Sequence, residues 1–147
     1  KRMTRFIMTL EEATKLVLES MFIGNGGEVF VTKMPVIKIV DLAECMAELL
    51  APKFGYRKDD IKIEIIGSRP GEKIYEELTN SEEIRRTIEM ENFLCILPPN
   101  SNYSSKSILK NYPKTTGKKV EKPYNSSLET SMTKKELKNY LIEKKLV

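Results

Sequence analysis

The sequence predicts a small mixed α/β domain. Three observations carry that expectation. Apolar residues recur at helical spacing in separate stretches, short runs of β-branched and aromatic residues stand between them, and turn-forming residues mark the joints. At 147 residues, with 40% hydrophobic and 31% charged side chains, the chain is long enough for one modest core and has the balance of an ordinary soluble protein.

The elements follow in order along the chain. Thr9 and Glu12 form a capping box, in which hydroxyl and carboxylate satisfy the orphan amides of a helix start. Leu10, Ala13, Leu16, Val17 and Met21 then repeat at helical spacing, which predicts one apolar stripe on a helix ending near Phe22. Residues 28–32 (EVFVT) read as a short strand. A second amphipathic helix carries Ile39, Leu42, Ala43, Met46, Leu49 and Leu50 on one face and stops at Pro52. Alternation of isoleucine with Lys62 and Glu64 predicts a strand over 61–66, and a loop over 67–73 leads to a short helix near 74–78. Another apolar strand is expected over 93–97. The last helix starts at Thr133, again with a capping box to Glu136, and turns Leu137 and Leu141 inward. These elements group into an α/β lobe over 1–97, a lysine-rich loop over 98–126 and a terminal helix over 127–147 that packs on the lobe.

Several functions are excluded by what is missing. The chain has no histidine, so a Ser-His-Asp triad, a Cys-His pair and a histidine metal site are impossible. Cys45 and Cys95 stand alone in separate apolar stretches and read as buried, unbridged thiols of a reducing cytoplasm, with no metal-type spacing. No apolar run approaches the ~20 residues of a transmembrane helix, and the start, KRMTRF, carries no secretory signal. The chain also opens without an initiator methionine, directly before a helix, and is expected to be part of a longer protein. No P-loop or Gly-x-Gly-x-x-Gly occurs. Gly24-Asn25-Gly26-Gly27 follows a helix and precedes a strand, the reverse of a phosphate cradle, and reads as a helix stop.

The net charge of +4 raises the question of nucleic acid. Residues 98–123 hold six lysines (106, 110, 114, 118, 119 and 122) against Glu121 alone, a local charge of +5 that leaves −1 for the remainder. The basicity is thus confined to one Ser/Asn/Lys/Pro-rich stretch, in which Tyr103 and Tyr112 are the only rings well inside. A groove-reading protein carries its charge on a folded face with aromatics interleaved, so nucleic acid is not the expected partner.

The chemistry concentrates in Gly67-Ser68-Arg69-Pro70-Gly71-Glu72-Lys73. Pro70 and Gly71 suit the two central positions of a type II turn, since proline fixes φ and glycine accepts positive φ. That turn would bring Arg69 and Glu72 close together at the end of a predicted strand, where ligands of open α/β sheets gather. An arginine can fork two phosphate oxygens, and a carboxylate can accept from a ribose diol, so the pair suits a nucleotide diphosphate. Taken alone, the segment reads first as a surface turn with solvated charges.

Four ordered blocks carry a family resemblance: M-T-R-F-x-M-T-L-E-E-A at 3–13, G-G-E-V-F-V-x-K-M-P at 26–35, K-I-V-D-L-A at 38–43, and I-I-G-S-R-P-G-E-K-I-Y-E-E-L at 65–78. Together the chain resembles the CapD-type polysaccharide biosynthesis proteins, which are similar to extended short-chain dehydrogenases/reductases and in particular to inverting UDP-N-acetylglucosamine 4,6-dehydratases. The resemblance runs to about residue 97 and resumes at 124–127 and in the final helix. It implies that the chain is the substrate-binding lobe of such an enzyme, lacking the Rossmann domain. It further implies that Arg5 and Arg69 grip the diphosphate of a UDP-sugar and that Glu72 contacts the ribose. In the intact parent, NADP would oxidise the sugar at C4, water would leave across C5 and C6, and hydride would return to C6. The implied parent is cytoplasmic. A UDP-N-acetylglucosamine 4-epimerase needs the same grip, and a stand-alone binding domain without catalysis is the alternative of another class.

The family's glycine-rich loop and catalytic Tyr-x-x-x-Lys lie upstream of the matched region, so neither catalytic nor cofactor-binding residues are expected in this chain, nor bound NADP. Tyr140 and Lys144 have the Tyr-x-x-x-Lys spacing, but they lie on the terminal helix, where that spacing is one helical turn. The partners implied are a UDP-sugar and the absent Rossmann domain. The face left by that domain is expected to be apolar and to drive homo-oligomer formation.

Overall fold

Two helices start at caps written in the sequence. The structure, a computed structural model, describes residues 2–100, 105–112 and 114–147. Helix α1 (Leu10–Ile23) begins at Thr9 with both arms of the predicted capping box closed, the Glu12 amide donating to the Thr9 hydroxyl and the Thr9 amide to the Glu12 carboxylate. The two groups satisfy amides that would otherwise lack partners at the first turn. The described residues fall into two units, one of Lys1–Ile7, Pro35–Glu76 and Asn125–Val147, the other of Met8–Met34 and Glu77–Tyr124.

In the first unit, strand β1 (Thr4–Phe6) pairs antiparallel with the strand Val36–Lys38, placing Arg5 opposite Ile37. A helix over Ile39–Leu50 follows at once, passes into a 3₁₀ turn over Ala51–Phe54 and stops at Gly55, whose φ of +79° gives the left-handed cap that glycine favours. Pro52 therefore sits inside this tightened last turn rather than ending the helix outright. The terminal helix (Lys134–Glu143) is capped by Thr133 and Glu136 as predicted. Its Leu137 and Leu141 close a core with Ile37 and Cys45, to which Leu42, Leu49 and Met132 add partly buried surface. Full burial of a leucine in such a cluster contributes about 1.5–3 kcal/mol.

The second unit is built on a four-stranded antiparallel sheet. With the two strands above numbered β1 and β3, its strands are β2 (Val29–Thr32), β4 (Thr87–Met90), β5 (Phe93–Ile96) and β6 (Thr115–Lys119), in the order β2-β5-β4-β6. Central β5 is buried along its whole length. Cys95 lies opposite Phe30 on one side and Ile88 on the other. Both faces of the sheet carry a core. Met90, Phe93, Cys95, Leu97 and Tyr112 form one cluster and Val31, Leu94 and Ile96 another. The remaining helices, in chain order, are α2 (Ile39–Leu50), α3 (Ser105–Asn111) and α4 (Lys134–Glu143). Among the described residues no helix is long and apolar enough to cross a membrane.

The mixed α/β class is as the sequence predicts, but several elements differ. Residues 61–66 form no strand, because a period-two pattern supplies propensity whereas a ladder also needs a partner. The helix expected over 74–78 is absent. There the Ile74 carbonyl accepts from the Thr4 amide, and the Glu76 amide and carbonyl bond to Ser126, so tertiary partners replace the helical ones. β1 and β3, three residues each, are too short to stand out by periodicity, and β4 (TIEM) lacks the continuous apolar run that marks β5 (FLCI). The stretch 98–126 is not a plain loop. It contains α3 and β6, and Tyr112 is fully buried with its hydroxyl donating to Glu28. Tyr103 lies outside the described residues.

Candidate functional site

The turn over 69–72 has the predicted form. The Glu72 amide donates to the Arg69 carbonyl at 3.1 Å, and Gly71 takes φ +83° at the position where a type II turn requires it. The Glu72 carboxylate folds back on the turn and accepts from the Arg69 amide at 2.9 Å. That leaves the Arg69 guanidinium exposed and, among the described residues, without a protein partner. The two side chains are thus close through backbone rather than through an ion pair, and the residues before the turn form no strand.

Arg5 reaches the same segment from β1. Its two terminal nitrogens donate to the Thr4 and Lys73 carbonyls, each at 2.7 Å, and its Nε lies 3.4 Å from a Glu76 carboxylate oxygen. The guanidinium, largely shielded, ties the strand to the residue immediately after Glu72. Sequence separation of 68 residues between Arg5 and Lys73 hid this contact. Two further supports were also missed. The Ser126 hydroxyl, fully buried, meets the Thr4 hydroxyl at 2.9 Å and accepts from the Glu76 amide at 2.9 Å, while the Ser126 amide donates to the Glu76 carbonyl. The signal that could have found Ser126 was present, since the resemblance resumes at 124–127. Arg5 is therefore tied to Lys73, the residue after the turn that carries Arg69 and Glu72, while Ser126 holds Thr4, the neighbour of Arg5, and Glu76, its carboxylate partner.

The other candidates resolve into structural roles. At Gly24-Asn25-Gly26-Gly27 the amides of Asn25 and Gly26 donate to the Glu28 carboxylate at 3.0 and 2.7 Å. An internal anion fills the position that a phosphate would take. Partial burial pushes the Glu28 carboxyl up, but the Tyr112 hydroxyl and these amides together hold it below the ordinary carboxylate value. Tyr140 and Lys144 make a surface contact, with the ammonium 5.8 Å from the ring centroid at the end of α4. Cys45 and Cys95 are free and buried, as expected. Burial raises both thiols, and with Glu28 nearby Cys95 is pushed up to about 12, which keeps it a thiol at any physiological pH. No group of His, Cys, Asp or Glu among the described residues could hold a metal ion.

Comparison with known proteins adds to this geometry. A family model described as "Polysaccharide biosynthesis protein" matches residues 1–98. The chain is 53% identical over 96 residues to an uncharacterized membrane protein of Methanocaldococcus jannaschii, covering 65% of this chain and 29% of that protein. It is 40% identical over 97 residues to the UDP-N-acetylglucosamine 4,6-dehydratase (inverting) of Campylobacter jejuni, covering 66% of this chain and 26% of the enzyme. The X-ray structure of Pen from Bacillus thuringiensis matches with a TM-score of 0.81 at 36% identity, over 99% of this chain and 40% of that one. This chain thus spans less than half the length of each of these proteins. The family match stops at residue 98 while the structural match covers nearly the whole chain, so the remaining third shares the fold as well.

Proposed function

Because the chain belongs to the polysaccharide biosynthesis protein family, we propose that it supplies the sugar-nucleotide grip of an inverting nucleotide-sugar 4,6-dehydratase. One observation carries the reading: Arg5 is bonded to the Lys73 carbonyl, one residue past the turn that presents Arg69 and Glu72. Arg69, exposed and unpaired, is the mobile half of the grip and forks two oxygens of the diphosphate. Arg5 is the anchored half. Each of its terminal nitrogens uses one N–H on the protein, leaving a second N–H on each for a phosphate oxygen. The Glu72 oxygen not engaged by the Arg69 amide accepts from a ribose hydroxyl.

The glycine-rich turn at 24–27 does not suit the phosphates of NADP. It follows a helix, and Glu28 already fills its amide cradle. These residues contribute position and charge to a reaction, not a redox step.

Titration of UDP-N-acetylglucosamine into the longer protein that carries this chain tests the proposal. Arg69→Ala is expected to weaken binding by about 1.5–3 kcal/mol, roughly 10- to 150-fold. Arg69→Lys recovers part of that loss, because a point charge cannot reproduce the fork. Glu72→Gln loses less than Arg69→Ala, since an amide oxygen still accepts. Unchanged affinity in a folded Arg69→Ala protein overturns the assignment.

A further inference from the structure

The segment over 61–66 has the residue pattern of a strand without its pairing. Its first residue, Ile61, lies in the β region (φ −96°, ψ 105°) and its isoleucines alternate with charges, yet among the described residues none from Lys62 to Ile66 makes a protein hydrogen bond. Its side chains are exposed, including Ile61, Ile63, Ile65 and Ile66. Ile61 and Ile63 extend an apolar groove that Met46 and Leu50 of α2 line together with Phe54 and Tyr56. A row of free amides and carbonyls beside exposed isoleucines is a template for another strand, and natural proteins rarely leave such an edge bare.

We propose that this edge pairs with a second copy of itself, giving an isologous dimer in which the two segments run antiparallel about Ile63. The charge pattern selects that occupant. A two-fold axis normal to a sheet keeps each side chain on its own face, so only residues of the same parity can stand opposite one another. Centring the axis on Glu64 sets two carboxylates directly opposite, and centring it on Lys62 sets two ammonium groups opposite while Glu64 meets Asp60. Like charges so placed are destabilising. Centring it on Ile65 leaves Glu64 opposite Ile66 and Ile63 opposite Gly67. Centring it on Ile61 would set Lys62 against Asp60, but Lys58–Asp60 are wound in a 3₁₀ turn and cannot enter a ladder. Of the registers that use only residues beyond that turn, the one centred on Ile63 is self-complementary. It sets Lys62 against Glu64 of the other copy twice, and Ile61 against Ile65 twice, with the two Ile63 residues in contact. One face of the ribbon is then six isoleucines and the other is two ion pairs. The pairing is independent of the sugar-nucleotide reading, since it uses neither arginine nor Glu72.

Sedimentation velocity of the 147-residue chain across a wide concentration range, with charge reversals, tests the proposal. The wild-type chain is expected to form dimers as concentration rises. Lys62→Glu places four carboxylates across the ribbon and Glu64→Lys four ammonium groups. Each alone weakens self-association about tenfold or more. An equimolar mixture of the two variants restores association as a mixed dimer, and the double variant K62E/E64K restores it as a homodimer. That rescue also shows that each reversed chain is folded. A wild-type chain that stays monomeric, leaving the edge to another protein or to none, overturns the proposal. So does a dimer indifferent to both reversals, or loss of association that neither mixing nor the double exchange repairs.

Discussion

Helix α1 opens on Thr9 and Glu12, helix α4 on Thr133 and Glu136, and in each both arms of the capping box are closed. Past the first turn they part. α4 buries Leu137 and Leu141 in the core of its unit, whereas no residue of α1 is buried and its Leu10 remains 85% exposed. Of the stripe predicted for α1, Leu16 packs against a buried cluster, while Leu10, Val17 and Met21 face outward. The same four-residue start therefore leads to opposite fates. A cap is chemistry among neighbours in sequence, and burial depends on what the fold brings alongside.

Core truncation should separate the two helices most. Leu137→Ala is expected to cost about 2–5 kcal/mol, because it leaves a cavity where nothing is exposed. Leu10→Ala, at a position already in water, should stay within about 0.5 kcal/mol of wild type. Urea unfolding of the two variants measures both, and equal losses would break the comparison.

Cap removal should instead make the helices alike. Thr9→Ala and Thr133→Ala are each expected to lose about 1 kcal/mol, since each removes one hydroxyl acceptor from the same local arrangement. A large loss at Thr133 beside none at Thr9 would mean that tertiary surroundings set the strength of the cap.

The smallest expected effect is the pH dependence of the α4 cap. The Thr133 amide, with its hydroxyl, holds the Glu136 carboxyl below its ordinary value of 4.5. A depressed folded value means that the unfolded chain takes up the proton first. The contribution of Glu136 is thus present above 4.5 and is lost as pH falls through the folded value. Thermal unfolding from about pH 6 to about pH 3 should show Glu136→Gln shifting least at the acid end, where the wild-type carboxyl is itself protonated. A wild-type advantage that grows on acidification would reverse the sign and refute the assignment.

Much of the fold was legible because its signals are local. Both capping boxes, the amphipathic pattern of α2, the apolar runs of β2 and β5, and the turn at 69–72 depend on residues within a few positions of each other. β1 and β3, by contrast, are three residues each and exist through their pairing, Thr4 with Lys38 and Phe6 with Val36. β4 and β6 belong to a sheet whose central strand they or their neighbours contact from afar. Over 61–66 the pattern is that of a strand, and without a partner no strand forms.

At the candidate site the sequence by itself determined the parts. Proline and glycine at 70 and 71 dictate the turn, because one fixes φ and the other accepts a positive value, and the residue types of Arg5, Arg69 and Glu72 dictate which ligands they could hold. Tertiary structure alone decided how those parts are joined. It set the Arg5 guanidinium on the Lys73 carbonyl and beside Glu76, bound Glu76 to the buried Ser126, and left the Arg69 guanidinium without a partner among the described residues. The physical reason is the range of the forces involved. Backbone torsion acts within a turn, whereas a hydrogen bond acts over about 3 Å of space with no regard for the sequence distance that separates its two ends.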